Sequence, residues 1–229
     1  MRGGREVTRL EGFSDAVFGF ALTLLVVSLE VPEDFPALKQ TLSGFLPFAA
    51  TFAVVSWIWF EHYLFFLHFK VQDHLTVFFN LVLLFVVLFF AYPLKFVLTR
   101  LVGSWTGYGL PQGDPGYAAY TAADARLLMV AYSGGFVAVF GILALFYWNA
   151  LRQRSELGLG PLDLFDARAG IRRHLLSVAI GVTSIVLALV VPMSVFWMPG
   201  FIYFLLGPVQ GTNGWRNGVA RGRLKASLA

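Results

Sequence analysis

The sequence contains no cysteine, which excludes disulfides, thiolate metal sites and thiol nucleophiles. Charge is scarce as well. Asp, Glu, Lys and Arg make up 13% of 229 residues, against about 25% in an average soluble domain. The four histidines, His62, His68, His74 and His174, form no His-Glu-x-x-His element. The series His62, His68, His74 has neither the helical spacing nor the carboxylate of a zinc site. There is no Gly-x-Ser-x-Gly elbow and no Gly-rich phosphate loop with a lysine. These absences predict a protein that is not an enzyme and uses no cofactor.

What is abundant is apolar surface. Hydrophobic residues make up 58% of the chain and mean hydropathy is +0.72, where a soluble domain is about 45–50% apolar. The surplus requires lipid. It is gathered in blocks of roughly twenty residues, the length with which a helix crosses a hydrocarbon core about 30 Å thick. Six spans are predicted, at residues 10–31, 42–69, 75–101, 123–151, 175–191 and 194–209. The second carries Pro47 in its opening turns, and the last is interrupted by Pro199 and Gly207. The runs lack two-residue alternation, so they read as helices rather than barrel strands. A Gly/Pro-rich loop, residues 103–117, separates the third and fourth spans. The first block is expected to be a retained span, since Glu11 and Asp15 stand close before its apolar run and residues 28–34 offer no small-x-small cleavage site.

Lys and Arg set the orientation. With the N-terminus inside, Arg2, Arg5, Arg9, Lys70, Arg152, Arg154, Arg168, Arg172, Arg173, Arg216, Arg221, Arg223 and Lys225 all fall inside, thirteen of the seventeen cations. Lys39, Lys95, Arg100 and Arg126 fall at the other side. The positive-inside rule then places both termini in the cytoplasm of a multi-pass cell-membrane protein. Membrane orientation accounts for the net charge of +4 without a nucleic-acid partner. The stretch 216–225 reads as a solvated inside tail able to touch anionic headgroups. Trp57, Trp59, Trp105, Trp197 and Trp215 are expected near span ends. The short loops predict one domain, residues 1–229, with no internal duplication.

The first span holds the most informative residues. Helical geometry advances about 100° per residue. Phe13, Phe20, Leu24, Val27 and Val31 then form one narrow apolar stripe, while Ser14 and Asp15 point elsewhere. An acidic side chain within a span is costly, so Asp15 should have a partner. His62 and Trp59 near the end of span two, and Asn80 in the opening turns of span three, share its depth. Ser14, Asp15, Trp59, His62 and Asn80 are therefore expected to form a polar cluster. Its role is either to fasten helices together or to titrate or gate through His62. The stripe taken alone reads as helix packing or lipid contact.

Arg9-x-x-x-Phe13-Ser14-Asp15, followed by Ala16-Val17-Phe18 and Ala21-Leu22-Thr23-Leu24-Leu25-Val26, resembles the signature of the transmembrane protein 175 family. Trp59-x-x-His62 and Asn80-Leu81 resemble further family features, so the likeness spans roughly the first 100 residues. Prokaryotic members of that family are potassium channels related to a lysosomal channel. The resemblance implies a homotetramer of six-span subunits, embedded in the bilayer, with four copies of span one around a potassium-permeable pore. It implies an apolar constriction of Phe20, Leu24 and Val27 in place of a carbonyl filter, with Thr23 contributing to selectivity. No metal other than permeating potassium is implied. Arg9, Ser14, Asp15, Trp59, His62 and Asn80 would form the structural or gating cluster. Gly12, Gly19 and Ala21 would let neighbouring helices approach. The family position matched by Phe20 usually holds Ile or Leu, so its ring would be bulkier and could gate by dewetting.

Two alternatives are weighed against this reading. Thr106-Gly107-Tyr108-Gly109 echoes a carbonyl filter, but the Val is missing and no pore helix of suitable length precedes it. A proton-coupled secondary transporter using Asp15 and His62 is the second, although no repeated half or matching pair of broken spans accompanies them.

Overall fold

The computed structural model describes residues 7–27, 32–106 and 121–228. Among them the secondary structure is helical and there is no strand. Six stretches are long and apolar enough to cross a membrane: Arg9–Val27, Phe45–His68, His74–Gly103, Ala122–Arg152, Pro161–Val190 and Met193–Ser227. We number the helices α1 (Arg9–Val27), α2 (Phe35–Ser43), α3 (Phe45–His68), α4 (His74–Thr106), α5 (Ala122–Arg152), α6 (Pro161–Val190), α7 (Met198–Phe201) and α8 (Leu206–Ser227). They fall into two compact units, residues 1–112 and 113–229.

Local chemistry starts and stops the helices. Thr8 and Glu11 form a reciprocal capping box at α1: the Glu11 amide donates to Thr8 Oγ1 (3.2 Å) and the Thr8 amide to Glu11 Oε2 (2.9 Å). Glu11 thus has a role at the helix end, where the dipole favours negative charge. Asp73 opens α4 by accepting from the Leu75 and Thr76 amides and from Thr76 Oγ1. Thr121 and Asp124 cap α5 in the same reciprocal way. Pro161 begins α6, where its missing N–H costs nothing, and Asp163 accepts the Gly160 amide. Between α5 and α6 the chain turns through Gly158 at φ 60°, a left-handed conformation that favours glycine.

In the first unit α1 packs on α3 and α4. Phe18, Ala21 and Leu25 from α1 meet a core that includes Val55, Ile58, Phe65, Leu83, Val87 and Phe90. In the second unit α5 and α6 form a long antiparallel hairpin around Phe136, Val139, Phe140, Leu143 and Phe146. Gly170 and Gly181 make the close approach possible. A Cβ on Gly170 would lie 2.5 Å from the Tyr147 ring, and one on Gly181 2.7 Å from Val137. Arg126 closes the far end of this hairpin by donating to the carbonyls of Ala188 and Val191 (2.7 Å for the latter). These are among the carbonyls that a helix C-terminus leaves without an intrahelical partner.

The boundaries depart from the expected spans in informative ways. Span two is interrupted at Gly44: α2 ends before it, and α3 begins with Pro47 as its third residue, where the absent donor is tolerated. The helix of the fifth span, α6, begins at Pro161 instead of near 175, because hydropathy sees only the lipid-facing part of a helix that continues into polar surroundings. The sixth crossing is broken, as Pro199 and Gly207 suggest, into 3₁₀ turns at Met193–Val195 and Ile202–Leu205 around α7. Beyond it the expected tail is helical through Ser227, and Arg221 forms a two-pronged salt bridge to Asp166 at 2.8–3.0 Å. Residues 28–31, most of the 103–117 loop including Gly107, Tyr108 and Gly109, and the Trp105 side chain lie outside the described residues.

Candidate functional site

The site gathers where α1, α3 and α4 meet. Ser14, Phe18, Ala21 and Leu25 recur at three- and four-residue intervals and are the buried face of α1. Ser14 Oγ lies 2.9 Å from Asn80 Nδ2, and Asn80 Oδ1 lies 2.8 Å from His62 Nε2. All three side chains are buried. An amide oxygen only accepts, so His62 carries its proton on Nε2 and donates it to Asn80. Asn80 Nδ2 in turn donates to Ser14, whose hydroxyl donates to the Leu10 carbonyl (2.8 Å). These bonds link α3 through α4 to the α1 backbone, and Ser14 Oγ also lies 3.2 Å from Asn80 Oδ1. Phe18 and Phe66 enclose the imidazole at 5.7 and 4.7 Å between ring centroids.

Asp15 belongs to a second contact. Trp59 Nε1 donates to its carboxylate at 2.8 Å, on the exposed side of α1. Trp59 also stacks on Tyr63, 5.8 Å between centroids. The structure thus brings Ser14, His62 and Asn80 together as one network and pairs Asp15 with Trp59 beside it. Arg9 is exposed at the first position of α1 and joins neither group among the described residues.

The apolar stripe lies on a different side. Phe20, Leu24 and Val27 are 68%, 47% and 69% exposed, and Phe13 shares that exposed side; Val31 lies outside the described residues. Thr23 is exposed too, and its hydroxyl donates to the Gly19 carbonyl at 2.9 Å, so the oxygen it presents outward is an acceptor. Gly12 and Gly19 face open space. Ala21 does not: it is buried, on the face where α1 packs on α3 and α4 of its own chain, so the helices it admits are these and not those of another copy. Its position at i+7 from Ser14 places it on the anchored face.

Sequence reasoning missed one acidic residue. Glu61, next to His62, is buried in α3 and accepts from Trp57 Nε1 at 3.3 Å. The spacing Trp57-x-x-x-Glu61 was the available signal, since residues four apart on a helix are neighbours. Trp57 is therefore engaged inside the chain and is not simply an interfacial ring. Among the described residues no three His, Asp or Glu side chains converge as metal ligands.

Six helices long and apolar enough to cross a membrane define the class: an all-α, multi-pass integral membrane protein. Comparison with known proteins narrows it. The family described as endosomal/lysosomal potassium channel TMEM175 matches residues 9–90. A potassium channel of Marivirga tractuosa is 38% identical over 212 residues, covering 90% of this chain and 86% of the relative. A potassium channel of Chamaesiphon minutus is 30% identical over 105 residues, 42% of this chain and 52% of that one. The crystal structure of a variant of the potassium channel MtTMEM175, in complex with a nanobody–MBP fusion protein, superposes with a TM-score of 0.80 at 34% identity over 98% of this chain and 96% of that one. A lysosomal potassium-selective channel homologue from Chamaesiphon minutus shares the fold, with a TM-score of 0.59 at 21% identity over 91% of this chain and 96% of that one. The chain belongs to the TMEM175 family.

Proposed function

We propose that this chain is the subunit of a homotetrameric, potassium-permeable cation channel of the cell membrane, with both termini cytoplasmic. Each chain contributes one six-span channel domain, and four copies of α1 line the pore. Phe20, Leu24 and Val27 form its apolar constriction. The observation that carries this reading is the division of α1 into two faces. One is anchored to α3 and α4 through Ser14, Phe18, Ala21 and Leu25; the other presents Phe20, Leu24 and Val27, left open by the described residues of the chain. A single helix cannot enclose a pore, so the open face requires further copies. Thr23, whose hydroxyl proton is turned back to Gly19, offers an acceptor oxygen suited to a partly dehydrated cation. Relatives named as potassium channels support the choice of ion.

In liposomes the purified protein should carry a potassium flux that Phe20→Ala increases, because four phenyl rings at one level narrow and dewet a passage. Flux equal to that of empty liposomes across a range of pH and potential would overturn the proposal. Unitary currents separate it from the proton-coupled transporter alternative, which requires saturation and proton coupling. That alternative draws less support from the geometry, since Asp15 and His62 are held by different partners, Trp59 and Asn80.

A further inference from the structure

The second unit ends in a helix that turns its side-chain amides toward the protein. On α8, Gln210, Asn213, Asn217 and Arg221 share one side, and that side faces α6. Gln210 Nε2 donates to the Arg173 carbonyl and Ser177 Oγ, each at 2.9 Å. Arg172 donates to Asn213 Oδ1 at 3.1 Å and to Asn217 Oδ1. Arg221 pairs with Asp166. These side-chain bonds hold α8 against α6. The opposite side presents Trp215, 73% exposed, and Val219. Arg216, Arg223 and Lys225 stand exposed around them.

Depth places this surface. The thirty residues of α6 span about 45 Å, whereas the hydrocarbon core is about 30 Å thick. With Arg126 at the outer edge, as the distribution of Lys and Arg implies, it caps the Val190 end there and the Pro161 end projects from the inner side of the bilayer with α8 alongside. Counting back from Val190, the hydrocarbon ends near Arg172, the residue that bonds α8 on either side of Trp215. Trp148 of α5 reaches the same level: its neighbour Tyr147 lies against Gly170 and accepts from Arg173. Trp148 is exposed, with the Arg152 guanidinium 5.8 Å from its ring centroid. Two exposed indoles at one depth, with arginines just beyond, match a membrane–water interface. Side chains on α8 lean toward its N-terminus, which carries those of Arg216, Arg223 and Lys225 back toward the bilayer. Residues 152–225 hold nine Lys and Arg against Glu156, Asp163 and Asp166.

We propose that Trp148, Trp215 and the surrounding Arg152, Arg216, Arg223 and Lys225 are a docking surface for anionic phospholipid headgroups. The indoles seat at the edge of the hydrocarbon and the cations bind headgroup phosphates. This surface lies in the second unit and uses no residue of α1.

The test uses the full chain in vesicles of equal parts phosphatidylcholine and phosphatidylglycerol. Because the protein has no cysteine, W215C places a single bimane label, and lipids spin-labelled at the headgroup should quench it. Native mass spectrometry of protein extracted from the same vesicles should show phosphatidylglycerol retained over phosphatidylcholine. The triple variant R216Q/R223Q/K225Q should reduce that preference on the order of tenfold, and R216K/R223K should keep it. Equal retention by the native protein and the glutamine variant overturns the proposal. So does a label at position 215 that lipid does not quench, in which case a second copy of the chain covers this face.

Discussion

Asn80 is the residue on which the cluster turns, because it accepts from His62 and donates to Ser14. Asn80→Ala removes two buried bonds at once, the one His62 donates and the one Ser14 accepts, and a buried polar group left unsatisfied costs about 1–3 kcal/mol. Ser14→Ala should cost less, since it takes the acceptor from Asn80 Nδ2 and leaves the bond between Asn80 and His62 in place. Trp59→Phe deletes one bond on the exposed side of α1, and interhelical bonds of this kind average about 0.6 kcal/mol in membranes. Thermal unfolding in detergent should therefore rank the variants Asn80→Ala, then Ser14→Ala, then Trp59→Phe in decreasing loss. Equal losses for Asn80→Ala and Trp59→Phe would refute the shared-partner account. The depth of these residues was legible in the sequence from helical rise alone. Glu61 was legible only in part: the four-residue spacing pairs it with Trp57, but nothing in a linear pattern says that this face of α3 is turned inward.

At the scale of an element, glycine separates packing from propensity. Gly170→Ala would drive a Cβ to 2.5 Å from the Tyr147 ring, which already packs 5.4 Å from His174 between centroids. The ring has to move, so we expect a loss of about 1–3 kcal/mol from overpacking. Gly214→Ala on α8 meets nothing within 4 Å and removes a poor helix former worth about 0.8–1 kcal/mol. It should leave unfolding unchanged or raise its midpoint, unless another molecule packs there. Arg126→Ala is a third case. It frees the Ala188 and Val191 carbonyls at the end of α6, so hydrogen exchange in the last turn of α6 should rise ahead of the rest of the α5–α6 hairpin. The sequence marked Arg126 only as a cation on the outer side; its partners lie 62 and 65 residues away.

At the scale of the whole molecule, the proposed assembly makes a prediction that the absence of cysteine renders clean. Leu24→Cys, on the open face of α1, should give disulfide-linked dimers on mild oxidation if four copies meet at an axis. Phe18→Cys, 2% exposed inside the chain, should give none. Monomer from both variants would place α1 away from the axis and remove the main support for a pore lined by Phe20, Leu24 and Val27.

The sequence by itself determined that the chain lives in lipid, that it is helical, and roughly where it crosses. The reason is physical: a bilayer forbids unpaired backbone, so length and apolarity alone select helices. It could not say where helices run on into water, since the polar stretches 161–174 and 206–227 carry no hydropathy signal, and α6 and α8 hold each other there by side-chain bonds. The tertiary structure alone decided how α1 is divided. The 3.6-residue period lays out several faces with equal clarity, but only packing against α3 and α4 says which is anchored. Ser14, Phe18, Ala21 and Leu25 turn inward, Phe20, Leu24 and Val27 stay open, and Ala21 moves from the open set to the anchored one.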